Sequence, residues 1–166
     1  MREDIDLSAQ ENQEDAEMRL RRRAMQILER RAMSRKELMD KLLQKGECED
    51  LAEDTAEWLE EMGLLNDPEY AGVVVRHYAG RGYGKLRIQQ EFYRRGIAKD
   101  LWEEAFEEMP EDTDAIDRFI QSKLKGSQPD RKEAKRIADA LHRRGYDWDE
   151  ITKALRRYEE VLDEYD

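Results

Sequence analysis

Cysteine occurs once in the 166 residues, at Cys48, so no internal disulfide can form. A lone thiol suits a reducing compartment. Proline occurs three times and glycine nine times, leaving little to interrupt helices. No run approaches the ~18 consecutive apolar residues that a membrane span needs. The opening, MREDIDLSAQENQEDAE, has no apolar core of signal-peptide length. The expectation is a soluble, cytoplasmic chain with no membrane partner.

The residues that carry chemistry are just as sparse. The only histidines, His77 and His142, are far apart, and neither has a neighbour at metal-ligand spacing. No nucleophile elbow or Cys-His pairing signal is present. The GRGYGK stretch from Gly80 to Lys85 lacks the hydroxyl residue of a phosphate-cradling loop, because Leu86 stands in its place. The carboxylates lie in runs such as EEAFEEMPEDTD, and nothing singles out two of them as an acid/base pair. The chain is therefore expected to have no catalytic residues, metal or cofactor, and not to be an enzyme.

What the sequence has in abundance is charge: 43% of its residues, with a formal net charge of −11. The charge is patterned. Met1 to Met18 holds seven acids and one base, whereas Arg19 to Lys45 holds ten bases and three acids. The alternation continues, with acids again dominating Glu47 to Glu61, Glu103 to Asp117 and the tail, and bases dominating 66–102 and 118–145. Such blocks either neutralise one another inside the fold or form separate faces for a partner. With apolar residues at only 39%, several thin cores suit the chain better than one deep one.

A repeat of about fifty residues organises these cores. Aligned on Gly46, Gly96 and Gly145, the chain places Leu38, Ile88 and Ile137 eight residues earlier. Leu42, Phe92 and Leu141 stand four residues earlier, on the same helical face. After the glycines come Ala52, Ala56 and Leu59, then Trp102, Phe106 and Met109, then Ile151, Leu155 and Tyr158. A further amphipathic segment precedes each unit: Leu20, Ala24, Ile27 and Leu28; Tyr70, Val73, Val74 and His77; Ile116, Phe119, Ile120 and Leu124. His77 is expected to be partly buried. The prediction is an all-α protein of three tandem three-helix repeats stacked into an elongated molecule. Residues 1–17 form an acidic, disordered leader, and the repeats cover 18–65, 66–110 and 111–166.

Local signals agree with that division. Ser34 with Glu37 makes a capping-box pattern, and Asp67 before Pro68 makes a cap and first-turn pair. The three aligned glycines read as helix stops, each preceded by a cation that complements the helix dipole: Lys45, Arg95 and Arg144. Arg87 and Arg94 lie seven apart on one face, with Glu91 between them and able to pair with either. Tyr83 and Tyr93 add aromatic surface. This basic, aromatic segment can contact phosphates or an acidic protein.

The stretch GLLNDPEYAGVVVRHYAGRGYGKLRIQQEFYRRGI resembles the signature of the RecX family, bacterial regulators of the recombinase RecA. Its diagnostic places fall on Gly63, Asp67, Tyr70, Ala71, Gly82, Gly84, Arg87, Ile88, Glu91, Phe92, Gly96 and Ile97. Lys85 stands where the family often has proline, and Phe92 replaces a usual leucine. The resemblance implies a curved, non-enzymatic modulator that binds the RecA filament on single-stranded DNA. Such a modulator lowers the filament's ATPase, strand-exchange and co-protease activities, and so acts in recombination, DNA repair and the SOS response. Its partner-binding residues would be Arg76, Arg81, Lys85, Arg87 and Arg94. Gly63, Asp67, Tyr70, Gly82, Gly84, Ile88, Phe92 and Gly96 would be the structural signature. A monomer is expected. Two other readings are open, a helical DNA-binding module acting without RecA and a general helical scaffold.

Overall fold

The computed structural model describes the backbone of residues 2–111 and 114–163, and the side chains of 9–111 and 114–158. Among the described residues there are nine α-helices and no strand. They are α1 Arg2–Arg30, α2 Arg35–Gln44, α3 Glu49–Glu61, α4 Asp67–Ala79, α5 Lys85–Arg95, α6 Trp102–Phe106, α7 Ala115–Leu124, α8 Arg131–Arg143 and α9 Trp148–Asp163. A short 3-10 turn, Lys99–Leu101, precedes α6. Among the described residues no helix is long and apolar enough to cross a membrane.

Two compact units form. One is Met1–Tyr70 with Arg95–Leu101, and the other is Ala71–Arg94 with Trp102–Asp166. The first is built on α1 to α3. Leu20 and Ala24, Leu38 and Leu42, and Ala52, Ala56 and Leu59 are all buried there, each set on one helical stripe. The alanines of α3 let its neighbours approach closely. In the second unit Ile120 and Leu124, Ile137 and Leu141, and Ile151 and Ala154 close a core of α7, α8 and α9. Also in that unit, Ile88 and Phe92 of α5 are fully buried, and the Phe92 ring lies 5.6 Å from Trp102 and 5.4 Å from Phe106.

Local chemistry explains the helix limits. Ser34 caps α2 by accepting the Glu37 N–H at 3.1 Å, while the Glu37 carboxylate accepts the Ser34 N–H at 3.0 Å. Gly46, Gly96 and Gly145 all follow helix ends with positive φ, at +83°, +67° and +94°. At Gly145 the N–H reaches the His142 carbonyl at 2.9 Å, and the next N–H, of Tyr146, reaches that of Leu141 at 3.3 Å. Two carbonyls that the helix leaves over are thereby satisfied.

The structure corrects four expectations. The stretch 2–17 is helical, as the first half of α1, where a disordered leader was expected. It contains no proline or glycine, so the helix runs on from its packed half, although the described side chains from 9 to 15 are all exposed. In α4 the buried face is Tyr70, Ala71, Val74 and Val75, and Val73 and His77 are exposed. The run of three valines is apolar on every side, so its periodicity could not pick the face. Asp67 does not cap its own helix, because Asn66 accepts the Glu69 N–H at 3.0 Å. Finally, α6 ends at Phe106, so Met109 lies beyond the helix.

Candidate interaction surface

The turn from α4 into α5 is made by Gly82, at φ +79°. Its N–H reaches the Ala79 carbonyl at 2.9 Å, and that of Tyr83 reaches Tyr78 at 3.1 Å. The outer face of α5 then carries Leu86, Gln90, Tyr93 and Arg94 into solvent. Tyr93 is 60% exposed and meets Trp102 edge-on at 4.8 Å.

The five expected partner-binding cations fall into separate settings. Arg87 and Arg94 both pair with Glu91, at 3.4 and 2.5 Å. Glu91 itself is only 3% exposed, whereas the Arg94 side chain is 67% exposed. The pairing was legible in the spacing, and the burial of Glu91 was not. Reversing both arginines would strand a buried carboxylate, so they hold the helix as well as presenting charge. Arg76 pairs with Glu108 at 2.9 Å, each side chain half exposed, and the Lys85 ammonium lies 4.8 Å from the Phe106 ring centroid. Arg81 is exposed in the turn.

The signature residues do structural work. Gly63 follows α3 at φ +70°, and the next N–H, of Leu64, reaches the Leu59 carbonyl at 2.9 Å. In the first unit Asp67 accepts the N–H of Arg35 at 2.8 Å and so satisfies a leftover donor in the first turn of α2. The Ser34 hydroxyl donates to the Arg95 carbonyl, and the Arg95 guanidinium donates to the Tyr70 hydroxyl and lies 3.8 Å from Glu37. Gly96 leaves room for Lys36, whose Cβ would stand 2.7 Å from any added Cβ. Arg95, read from sequence as serving its helix end, thus serves a polar node. Ser34 and Arg35 are the partners that sequence reasoning missed in this role. The capping box marked Ser34, but only the tertiary fold brings it to Arg95.

Burial pushes the Asp67 carboxyl above its usual range. The Arg35 N–H opposes this, and nearby Glu60 and Glu37 add to it. A raised carboxylate pKa means that the charged form is disfavoured in the folded state, so ionised Asp67 costs stability at neutral pH. Asp67→Asn keeps an acceptor for Arg35 and removes the charge. It should match or exceed the parent's melting temperature at pH 7, and the advantage should fade as acidification protonates Asp67. A melt of Asp67→Asn lower than the parent's at neutral pH would contradict this reading. Burial also holds the Tyr70 hydroxyl above its ordinary pKa.

In the second unit the start of α5 meets the end of α8 backbone to backbone. The Gly84 N–H donates to the Arg144 carbonyl at 2.8 Å, and the Leu86 N–H donates to that of Gly145 at 3.0 Å. The Tyr146 hydroxyl donates to the Gly82 carbonyl at 3.1 Å. The Arg144 guanidinium lies 5.7 Å from the Tyr83 ring and 4.8 Å from the Phe119 ring. The basic turn and the third trio of helices are therefore built as one piece.

The same trios are matched in known proteins. The model of the first three-helix domain of RecX matches residues 21–59, and that of the second matches 66–105. The regulatory protein RecX of Halorhodospira halophila is 35% identical over 139 residues, 82% of this chain and 86% of that protein. The RecX of Pseudomonas putida is 34% identical over 153 residues, 91% of this chain and 97% of its own. The crystal structure of RecX from Lactobacillus salivarius superposes with a TM-score of 0.76 at 23% identity, covering 87% of this chain and 97% of that one. A second RecX crystal structure gives 0.74 at 16% identity, covering 85% and 71%. With two successive domain models in register with the helices, and this much identity over most of its length, the chain belongs to the RecX family.

Proposed function

We propose that the protein is a non-enzymatic regulator that binds the RecA filament on single-stranded DNA and lowers its ATPase, strand-exchange and co-protease activities. Support comes from the name that its relatives share, regulatory protein RecX. The observation that carries the reading is the outer face of α5, where Leu86, Tyr93 and Arg94 stand exposed beside Arg87. Aromatic, aliphatic and arginine side chains together are the composition of a protein-binding surface. A molecule lodged on the filament by that face blocks its growth, so few copies are needed.

The experiment is RecA's ATPase on single-stranded DNA, with this protein below RecA's concentration. Strong inhibition is expected. Arg81→Glu with Tyr93→Ala alters two exposed side chains and should change stability little. It should require roughly tenfold more protein for the same inhibition, the loss of one interface anchor. Failure of the parent to co-sediment with assembled filaments would overturn the proposal.

A further inference from the structure

Glu91 lies on the buried side of α5 with Ile88 and Phe92, yet it is a charged residue. Burying a carboxylate is costly, and pairing it with exposed arginines does little to offset that. Its two oxygens are divided between two guanidinium groups. Oε2 accepts from both Nε and Nη2 of Arg94, at 3.1 and 2.5 Å, and Oε1 lies 3.4 Å from Nη2 of Arg87. Binding Nε and Nη2 together fixes the plane of the Arg94 guanidinium, although that side chain is largely exposed. The same carboxylate turns Arg87, whose Nε is buried with no hydrogen-bond partner among the described residues.

The third repeat shows what a helix requires at this place. Counted back from the aligned glycines, Arg87, Glu91 and Arg94 correspond to Arg136, Ala140 and Arg143. So α8 keeps both arginines but has alanine where α5 has glutamate. Arg136 and Arg143 are exposed and, like the other cations of α8, form no ion pair among the described residues. The half-buried Ala140 shows that a small apolar side chain meets the packing needs of this position.

We infer that Glu91 is the positioning residue of the α5 face: it holds Arg94 and Arg87 in one orientation, so that they meet acceptor groups of a protein partner already aligned. The inference rests on the regulator reading for the identity of that partner. An unrestrained arginine loses rotamer freedom when it binds, whereas one held by a fixed carboxylate has lost that freedom on folding. Glu91 thus contributes preorganisation while cancelling part of the local positive charge. These two effects have opposite signs. A face that worked by positive charge alone would bind better without Glu91, and a face that works by orientation binds worse.

The test compares Glu91→Ala, which installs the residue of the third repeat, with Glu91→Gln, which keeps the shape and one carbonyl acceptor. Both should keep the parent's circular dichroism and melt close to it, because replacing a buried ion pair with a neutral side chain is often neutral or stabilising. RecA's ATPase on single-stranded DNA should need roughly tenfold more Glu91→Ala than parent for the same inhibition, the effect of two arginines that must now be ordered on binding. Glu91→Gln should fall between the two, and it carries the comparison alone if Glu91→Ala does not fold. Nitrogen-15 relaxation should show the Arg94 Nε–H as ordered as the helix backbone in the parent and mobile in Glu91→Ala. That readout needs no RecA. If the parent itself did not inhibit RecA, the regulator reading would fall, and the order of Arg94 would still decide whether Glu91 holds it. Three results would overturn the inference: an Arg94 Nε–H as mobile in the parent as in the variant, a folded variant that inhibits as well as the parent or better, or variants that lose melting temperature and inhibition in step, which is the mark of a purely structural residue.

Discussion

Phe92→Ala is expected to lower stability by roughly 3–5 kcal/mol, the range for deleting a fully enclosed phenylalanine. The side chain has no exposed surface, and its ring meets those of Trp102 and Phe106. Such aromatic pairs add to the area term. Truncation leaves a cavity lined by two large rings that cannot both move in to fill it. For a chain of this length the melting temperature should drop by about 10 °C. Because Ile88 lies one turn earlier on the same stripe and is equally buried, α5 itself should loosen, and the outer face bearing Tyr93 and Arg94 with it. Under the proposed function, filament inhibition should therefore weaken although Phe92 itself is fully buried. A thermal melt of Phe92→Ala that overlays the parent's would remove Phe92 from the core.

Phe92 was legible from spacing alone, and the reason is physical. A helix with one apolar stripe declares its buried face, and Leu38, Leu42, Ala52, Ala56, Leu59, Ile137 and Leu141 are all buried as the fifty-residue repeat predicts. Spacing carries no such information where the apolar pattern is not a stripe. Three adjacent valines in α4 are apolar on every side, so packing against neighbours chose Val74 and Val75 and left Val73 out. The candidate surface was legible only as a composition. Spacing put Arg87 and Arg94 beside Glu91, but a lone glutamate among polar residues carries no sign that the fold will bury it. The cations of α8 were counted in a basic block, but their lack of partners is a tertiary fact. Gly84 looked like part of a tight turn, yet its φ is not positive, and the demand on it comes from a residue far away in sequence.

Gly84→Ala is expected to cost on the order of 3 kcal/mol, the upper part of the range for overpacking. A Cβ at Gly84 would stand 2.5 Å from the carbonyl carbon of Gly145 and 2.7 Å from the Tyr146 nitrogen. These are backbone atoms, so no rotamer change relieves the clash, and the start of α5 must move off the end of α8. That movement breaks the bonds from Gly84 to Arg144 and from Leu86 to Gly145. Gly145→Ala meets the same obstacle from the other side, because its Cβ would fall 2.9 Å from the Arg87 Cα and closer still to other Arg87 atoms. It also suffers the strain of φ +94°. Gly46→Ala provides the control. Gly46 has φ +83° but nothing within 4 Å of an added Cβ, so only backbone strain remains, about 1–2 kcal/mol. Chemical denaturation of the three variants should rank Gly46→Ala as the mildest. Hydrogen exchange should show the weakening in Gly84→Ala concentrated at the Gly84 and Leu86 amides, whose partners lie on the far side of the junction. If Gly84→Ala proved no worse than Gly46→Ala, the close approach of the two backbones would be wrong, and Gly84 would be only a residue of the turn.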